Sequence, residues 1–458
     1  MHPLPTMPYR LPILGHVLSY ARDPLGFLEA AARLGPLVRI ELGPIQSVLV
    51  SDPEIVETIC VTQNRRFIKD RFARDLELVL GTGLLTSEGD FWRRQRRLAQ
   101  PAFHRDRIAG YGTTMVEVTS AHASRWREGQ TRDAHADMMA LTLDIVGRTL
   151  FGADVGARAR EIGACLEDVT VRYADAVAMI VPHWDKLPTP LNRRFRSAIE
   201  RLDRVIFDLL ESHRAGRTGD GSDLLSLLME ARDEDGSGMS DRQLRDETIT
   251  LLLAGHETTA LVLTFTWLLL SRHPLVRAKL QAELVEVLGD RAATVADLPR
   301  LVVADRIVRE SMRLYPPAWS IGREAVDDVE LGGRRFGRGT GFWFPPWTMH
   351  RDSKWYADPE RFDPDRWSGD FAKTLPRFAY LPFGGGPRRC IGNAFATMET
   401  VLCLATIAQR VQLDVVPGQS LELVPTVTLR PRHGLQVRVS APPQATLAAA
   451  TFRTSSIP

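Results

Sequence analysis

The spacing of apolar residues along this 458-residue chain predicts the order of its secondary structure. Between residues 37 and 60, apolar and polar positions alternate on both sides of Gly43-Pro44, which predicts a β-hairpin followed by a helix. Helical spacing then dominates, over residues 141–151, 198–211, 224–231, 241–270, 274–288 and 304–314. Strand-like segments return at residues 324–344 and 421–439. The pattern predicts a mainly α fold with minor β structure.

The polar breaks in this pattern do not divide the chain into domains. Residues 216–221 and 233–238 are rich in Gly and Asp, but both are too short to be domain linkers and predict surface loops. We therefore expect a single domain over residues 1–440, with the β-rich segments packed on a helical body. Residues 441–458 are small and polar without periodicity, which predicts a flexible tail.

Composition and charge exclude other classes of protein. The chain is 44% hydrophobic and 25% charged with a net charge of +2, as in a globular protein, so we expect no nucleic-acid partner. Its cysteines show no C-x-x-C and no paired spacing, which favours a reducing compartment over a disulfide framework or a zinc site. They are Cys60, Cys165, Cys390 and Cys403.

Two segments bear on a membrane location. Residues 1–15 are rich in proline and contain no apolar run long enough for a signal peptide or anchor. Residues 249–270 have membrane-spanning length but carry Gly255, His256 and Glu257 at their middle, where a carboxylate would cost about 2.5–3.5 kcal/mol. We therefore expect a buried helix, no membrane anchor and a cytoplasmic location.

One cysteine lies between a glycine-rich segment and the start of an apolar helix, in the sequence F-G-G-G-P-R-R-C-I-G at residues 383–392. Glycines let the backbone curl around the Cys390 sulfur and direct amide N–H groups at it, and the positive end of the next helix favours a negative atom. Arg388, two residues earlier, is hard to explain as core packing. The pattern predicts that Cys390 is a thiolate ligand.

This stretch resembles the haem-binding loop of the cytochrome P-450 superfamily, F-x-x-G-x-R-x-C-x-G, in which the cysteine is the proximal iron ligand. The matching residues are Phe383, Gly386, Arg388, Cys390 and Gly392. The resemblance covers roughly residues 10–440. It implies a single haem-thiolate catalytic domain, with haem b between a long oxygen-binding helix and the cysteine-loop helix, O2 as co-substrate and electrons from NAD(P)H through redox partners.

A polar island, A-G-H-E-T-T at residues 254–259, interrupts the Leu-rich run of the long predicted helix. Small residues let a flat cofactor approach the backbone, and a hydroxyl that bonds to a preceding carbonyl can open the helix locally. The island resembles the superfamily's oxygen-activation segment, which implies that Glu257 and Thr258 deliver protons. That pair argues against a peroxygenase or isomerase independent of electron donors. A non-catalytic haem protein is a further alternative, and it should not consume NAD(P)H in the presence of redox partners and a bound substrate.

Two further motifs resemble the family's structural elements. Glu310 and Arg313 lie one helical turn apart as E-x-x-R, and P-E-R-F at residues 359–362 resembles the later P-x-R-F element. The resemblance implies that Glu310, Arg313 and Arg361 form a buried triad that supports the cysteine loop.

Other cations are expected to bind the haem propionates. Trp92 and Arg96 lie four residues apart on one helical face and resemble the family's W-x-x-x-R element. By the same resemblance, Arg388 and Arg323 supply further propionate contacts.

The neighbouring arginines Arg93, Arg94 and Arg97 leave two interpretations open. They form either a solvated basic face or a docking surface for an acidic ferredoxin or flavodoxin with its reductase. The chain ends shortly after the last predicted strands, so we expect separate redox partners, and we expect a monomer.

The resemblance also implies a substrate pocket. Its expected lining residues are Leu84, Val177, Leu251, Ala254, Trp319, Ile321 and Val427. These residues are mostly aliphatic, and a plain core role is the alternative for each of them. They predict an apolar substrate, such as a terpene, steroid, fatty acid or polyketide, and the resemblance implies its hydroxylation or epoxidation in secondary metabolism.

Overall fold

The computed structural model describes residues 3–152, 159–173, 184–219, 221 and 223–441. Its helices are α1 (Val17–Arg22), α2 (Pro24–Ala32), α3 (Pro53–Glu57), α4 (Arg71–Asp75), α5 (Glu77–Leu80), α6 (Gly89–Ala99), α7 (Arg105–Ala123), α8 (Ala134–Leu150), α9 (Ala159–Tyr173), α10 (Pro190–Arg214), α11 (Leu224–Glu230), α12 (Asp241–Arg272), α13 (Pro274–Val287), α14 (Val302–Leu314), α15 (Pro346–Met349), α16 (Phe371–Thr374) and α17 (Asn393–Ala408).

The strands are shorter than the helices. They are β1 (Leu37–Leu42), β2 (Ile45–Val50), β3 (Phe67–Lys69), β4 (Thr131–Asp133), β5 (Gly322–Ala325), β6 (Val329–Leu331), β7 (Arg334–Phe336), β8 (Gly341–Trp343), β9 (Gln412–Val415), β10 (Leu423–Pro425), β11 (Leu429–Pro431) and β12 (Gln436–Ser440). The predicted mainly α class with minor β structure is confirmed, while the single domain over residues 1–440 stays a prediction.

The largest sheet has the strand order β1-β2-β8-β5-β3 and begins with the predicted hairpin. β1 runs antiparallel to β2 with Leu37 opposite Val50, and β2 runs parallel to β8. At the other edge, Lys69 at the end of β3 lies opposite Arg323 of β5. This register brings two cations together at one corner of the sheet. The other sheets are β10-β11, β4-β12-β9 and β6-β7.

Helix α12 is central to the helical body. It begins with a capping box, in which the Ser240 side chain accepts from the Gln243 backbone and the Gln243 side chain accepts from the Ser240 backbone. It packs against α8 along much of its length and also contacts α14 and α17. Because its surface is covered from several sides, most of its residues are buried, including charged ones.

Within the described ranges, α12 is the one helix long and apolar enough to cross a bilayer, and 78% of its most apolar window is buried inside the protein. Residues 249–270 therefore form part of a buried helix, as expected. Val177 and the predicted tail beyond residue 441 lie outside the described residues.

Candidate functional site

The cysteine loop is a tight turn that leads into α17. The Cys390 N–H donates to the Phe383 carbonyl at 3.0 Å, and the Gly392 N–H donates to the Cys390 sulfur. Gly384 and Gly386 adopt φ of 65° and 66°, a region that glycine enters without steric cost. The glycines therefore make the turn that places a backbone donor on the sulfur.

The Cys390 sulfur lies deep inside the fold, yet the residue keeps accessible surface, as expected for a side chain that lines an internal cleft. Burial raises the pKa of the Cys390 thiol, whereas the Gly392 N–H and the positive charge of Arg96 act in the opposite direction. A bound cation at the sulfur would complete the stabilisation of the thiolate.

The middle of α12 borders open space. Ala254 is exposed and Thr258, one turn later, is half-buried, although the helix around them is buried. The Thr258 hydroxyl donates to the Ala254 carbonyl at 2.7 Å, so its oxygen remains free to accept. This face of α12 therefore offers a small side chain and one hydroxyl to a ligand.

Glu257 points away from that open face. It is 2% exposed and accepts hydrogen bonds from Thr428 and from the guanidinium of Arg430. Burial alone would raise the pKa of Glu257, but Arg430 and Thr428 together lower it below its usual value. The carboxylate is thus ionised and paired, and neither partner could be found from the sequence, because both lie in a distant hairpin.

The predicted propionate ligand Arg388 is held against the end of α6. Its guanidinium lies over the Trp92 ring, 3.8 Å from the centroid, and donates to the Ser87 carbonyl at 2.9 Å. It also forms an ion pair with Glu88, whose other carboxylate oxygen accepts from the Lys69 backbone N–H. Glu88 was not identified from the sequence and ties β3 to the cysteine loop.

The other predicted cations lie near Arg388. Burial is the largest cause that lowers the pKa of Lys69, to about 7, and the positive charges of Arg388 and Arg323 act in the same direction. Arg96 donates to the Arg389 carbonyl at 3.1 Å, beside the cysteine. The structure thus gathers Arg96, Arg323 and Arg388 near one side of the cysteine loop, with Lys69 as a cation that the sequence did not reveal.

The buried ion-pair set below the cysteine loop differs from the prediction in one residue. Arg313 donates to Glu310 through Nε at 2.9 Å and Nη2 at 2.8 Å, and both side chains are fully buried. The second guanidinium at Glu310 belongs to Arg366, at 3.0 Å. Arg361 is exposed, and its contribution is a backbone carbonyl that accepts from Arg313. The prediction that Arg361 completes the triad is therefore wrong.

His350 connects this set to the cysteine loop. Its carbonyl accepts from Arg313 at 2.9 Å, and its Nε2 accepts from the Leu381 N–H at 3.0 Å. Burial and the charge of Arg313 lower the pKa of His350 to about 3, so the ring is neutral and can accept. Because Leu381 precedes Phe383 by two residues, the ring helps to fix the start of the loop.

Four of the predicted pocket residues lie on or beside the elements that carry Thr258 and Cys390, and their role in a pocket stays a prediction. Ala254 borders the open face of α12, and Leu251 is buried one turn before it. Ile321 lies against Gly384 of the cysteine loop. Leu84 is buried, and its N–H is bonded to α12 through the Glu247 carboxylate at 3.0 Å.

The two remaining pocket residues that the structure describes are Trp319 and Val427. Trp319 is 6% exposed, packs in the apolar cluster beneath the largest sheet and donates to the Thr426 carbonyl at 2.9 Å. Its burial and this hydrogen bond fit the alternative of a plain core role, and a pocket wall at Trp319 stays a prediction. Val427 is 38% exposed in the turn between β10 and β11.

The basic run on α6 pairs with nearby carboxylates, although the side chains of Arg93 and Arg97 stay 56% exposed. Arg94 pairs with Asp233 at 2.8 Å, and Arg97 pairs with the same carboxylate at 2.5 Å. Arg93 pairs with Asp90 on the helix itself. Arg94 and Arg97 thus fasten the loop of residues 233–238 to α6, and both interpretations of the run, a solvated basic face and a docking surface, stay open.

Together these residues fit a planar, dianionic, iron-containing cofactor. An accessible thiol with a backbone donor on its sulfur suits an axial iron ligand. The small and open face at Ala254 and Thr258 leaves room for a ring, and the cations Arg96 and Arg388 suit its carboxylates.

Comparisons with known proteins agree with this arrangement. The cytochrome P450 family model matches residues 5–439. Cyclooctatin synthase from Streptomyces melanosporofaciens is 40% identical over 92% of this chain and 92% of its own length. Pentalenene oxygenase from Streptomyces avermitilis is 37% identical over 95% and 97%. The crystal structure of the cytochrome P450DA heme domain has a TM-score of 0.85 at 30% identity, covering 96% of this chain and 97% of that one.

Proposed function

The chain belongs to the cytochrome P450 family of haem-dependent, oxygen-incorporating oxidoreductases, and from this we propose that it is a monooxygenase of apolar terpenoids. The observation that carries the proposal is the Cys390 residue, which keeps accessible surface and whose sulfur receives the Gly392 N–H. The terpenoid class is supported by relatives named for oxidation of cyclooctat-9-en-7-ol and pentalenene, at 39% and 37% identity.

Haem b, when bound, supplies the iron at which O2 is activated for transfer of one oxygen atom to the substrate. Cys390 ligates that iron, and the Gly392 N–H withdraws part of the negative charge from the sulfur. Arg96, Arg323 and Arg388 would hold its propionates. Ala254, which has no side chain beyond Cβ, would leave room for the ring on the open face of α12.

Protons reach the cleft through the chain's own groups. Thr258 holds a proton at Oγ1 and can accept another hydrogen bond there, since its hydroxyl donates to the Ala254 carbonyl. Consecutive residues of a helix point about 100° apart, so Glu257 faces Arg430 while Thr258 faces the cleft. The Glu257 side chain can reach the cleft only by rotating away from Arg430. We infer that Glu257 exchanges protons with Thr258 in that rotated position.

Electrons come from NAD(P)H through a separate ferredoxin or flavodoxin and its reductase. The surface next to the cysteine loop has a cavity of about 890 Å³ bordered by Arg309, Arg377 and Arg389. Its basic side chains suit an acidic partner, although Arg309 and Arg377 also pair with Asp305 and Glu57. Changing Arg377, whose side chain is 63% exposed, to Glu should slow the first electron transfer roughly tenfold at low salt. Arg338→Glu, in the turn before β8, is the control. An unchanged rate at Arg377→Glu would discard this docking face.

We also infer that the protein acts in the cytoplasm as a monomer. The support is that the one candidate span among the described helices lies in the core. Sedimentation of the haem-loaded protein and its recovery without detergent are the tests.

The carbon monoxide spectrum of the reduced enzyme tests the thiolate ligand. Wild type should show the haem-thiolate absorbance, and Cys390→Ser should lose it while keeping its helix content.

A haem spin-state screen should then give larger shifts with terpenes than with steroids, fatty acids or polyketides. Turnover with peroxide but none with ferredoxin, reductase and NAD(P)H would instead identify a peroxygenase or isomerase.

A further inference from the structure

The loop of residues 81–87 is fastened to the N-terminal half of α12 by two buried carboxylates. Asp246 accepts from the Thr82 N–H at 2.9 Å, and Glu247 accepts from the Leu84 N–H at 3.0 Å. Asp246 and Glu247 are 2% and 1% exposed. Buried carboxylates are costly unless they are bonded, so these two contacts hold the loop firmly.

Lys69 holds the same loop from the side of the largest sheet. Its ammonium donates to the Leu84 carbonyl at 3.3 Å and also to the Leu85 carbonyl. The side chain is buried at the end of β3. The peptide groups on both sides of Leu84 are therefore fixed from two different elements.

Two glycines allow this close approach. A Cβ at Gly81 would overlap the Asp246 carboxylate, and the residue has a φ of +58°. A Cβ at Gly83 would overlap the Thr250 hydroxyl and the Asp246 carbonyl oxygen. The loop thus lies directly on the α12 backbone.

The loop connects the two sides of the cleft. At one end it contacts α12, which carries Thr258, and at the other the Ser87 carbonyl accepts from Arg388 of the cysteine loop at 2.9 Å. Between these anchors Leu84 and Thr86 are 8% and 6% exposed, but Leu85 is 41% exposed. Leu85 is therefore the apolar side chain that the loop leaves exposed between its two anchors.

We propose that Glu247 and Lys69 are positioning residues that fix Leu85 as a wall of the substrate cleft and so determine which carbon of the substrate is oxidised. The inference rests on the proposed function, because it requires an apolar molecule above Cys390. The other Glu247 oxygen has no hydrogen-bond partner among the described residues, so the loop is the only described group that its carboxylate bonds.

Hydrogen bonding, not charge, is what this role requires. Burial raises the pKa of Glu247 to about 7, and burial lowers the pKa of Lys69 to about 7. The Glu247 side chain can accept from the Leu84 N–H whether it is protonated or ionised. Glu247→Gln keeps an acceptor oxygen and should therefore behave as wild type, which makes it the conservative variant for the test.

The test compares two iron-binding probes in the haem-loaded enzyme. Imidazole needs only the iron, whereas 4-phenylimidazole also needs apolar space beside it. Glu247→Ala and Lys69→Met should weaken 4-phenylimidazole roughly tenfold, equivalent to about 1.4 kcal/mol, and leave imidazole within about twofold. Glu247→Gln should restore wild-type binding. Asp241→Asn, on an exposed ion pair of the same helix, is the matched control.

Hydrogen exchange gives a second measurement that does not depend on activity. Amides of residues 80–88 should exchange faster in Glu247→Ala and Lys69→Met, with the rest of α12 unchanged. Equal weakening of both probes, or unchanged exchange and binding, would overturn the inference. If Glu247→Ala does not load haem, Lys69→Met decides the question from the opposite side of the loop. Failure of wild type to bind imidazole would count against the proposed function instead.

Discussion

At Glu310 a single buried carboxylate organises the support of the cysteine loop. It accepts from Arg313, from Arg366 and from the Trp367 indole at 2.9 Å. Arg366→Leu leaves this buried charge short of a partner and should lower the free energy of unfolding by about 3–5 kcal/mol. Arg361→Leu, at an exposed side chain, should change it by less than about 0.5 kcal/mol. Denaturant unfolding of both variants distinguishes the two arginines, and equal losses would restore Arg361 to the set.

The neutral ring of His350 makes stability depend on pH. Its pKa is lowered from 6.5 to about 3 in the folded protein, so between those values the unfolded chain binds the extra proton. Stability is therefore retained above pH 6.5 and falls as the pH drops, by up to about 1.4 kcal/mol per pH unit.

His350→Asn, which keeps an acceptor for the Leu381 N–H, removes this dependence. The difference in unfolding free energy between wild type and His350→Asn should shift in favour of the variant as the pH falls from 6.5 to 4. His433→Asn, at an exposed histidine, is the control. Parallel curves for wild type and His350→Asn would show that the ring is protonated in the fold.

Individual residues were predictable where a local motif fixed their environment. Cys390 and its glycines belong to one short turn, so the sequence alone indicated their geometry. Arg366 and Arg430 reach their carboxylates from separate segments, and nothing beside them in the sequence indicates where those carboxylates lie. Arg361 fits the P-x-R-F motif, but its backbone carbonyl rather than its guanidinium contacts the buried set.

Among the elements, the cysteine loop depends on its contact with the π-helical turn at Thr58–Thr62. A Cβ at Gly386 would overlap the Cys60 carbonyl oxygen, and the residue has a φ of +66°. Gly339 has a φ of +84° with open space around it. Gly386→Ala should therefore cost more than the roughly 1–2 kcal/mol of a left-handed residue, whereas Gly339→Ala should cost about that amount.

Thermal unfolding and the haem-to-protein ratio measure both glycine variants. Gly386→Ala should lose haem as well as stability, because the displaced loop carries the ligand. Gly339→Ala should keep its haem. Full haem content in Gly386→Ala would show that the loop tolerates the displacement.

Helices were easier to predict than strands. The apolar spacing placed α12 and α14 within a few residues, because both bury a continuous face. It underestimated α10, which extends from Pro190 to Arg214, since its outer turns are polar. The strands β3, β4 and β9 have only three or four residues, too few to show alternation.

At the scale of the whole molecule, one apolar core links distant parts of the chain. It extends from Val79 to Val439, and Tyr315 packs against both this core and the cluster under the largest sheet. We therefore expect the β-rich part and the helical body to unfold together, so that tertiary structure, secondary structure and haem absorbance are lost in coincident transitions on heating. Two separable transitions would mean that the β-rich part unfolds independently.

The mainly α class and the order of the segments followed from the sequence, since periodicity reports which face is buried. The packing of α12 against α8 did not, because it depends on side chains that meet only after folding. The same holds for the corner where Lys69 meets Arg323.

The contact between Gly386 and the Cys60 carbonyl also affects biosynthesis. Cys60 leaves the ribosome long before the cysteine loop is synthesised. The contact between Cys60 and Gly386 therefore cannot form until residue 386 has also emerged. Joining segments so far apart is slow. Cofactor capture should therefore follow release of the finished polypeptide, and a nascent chain arrested before residue 386 should take up no haem.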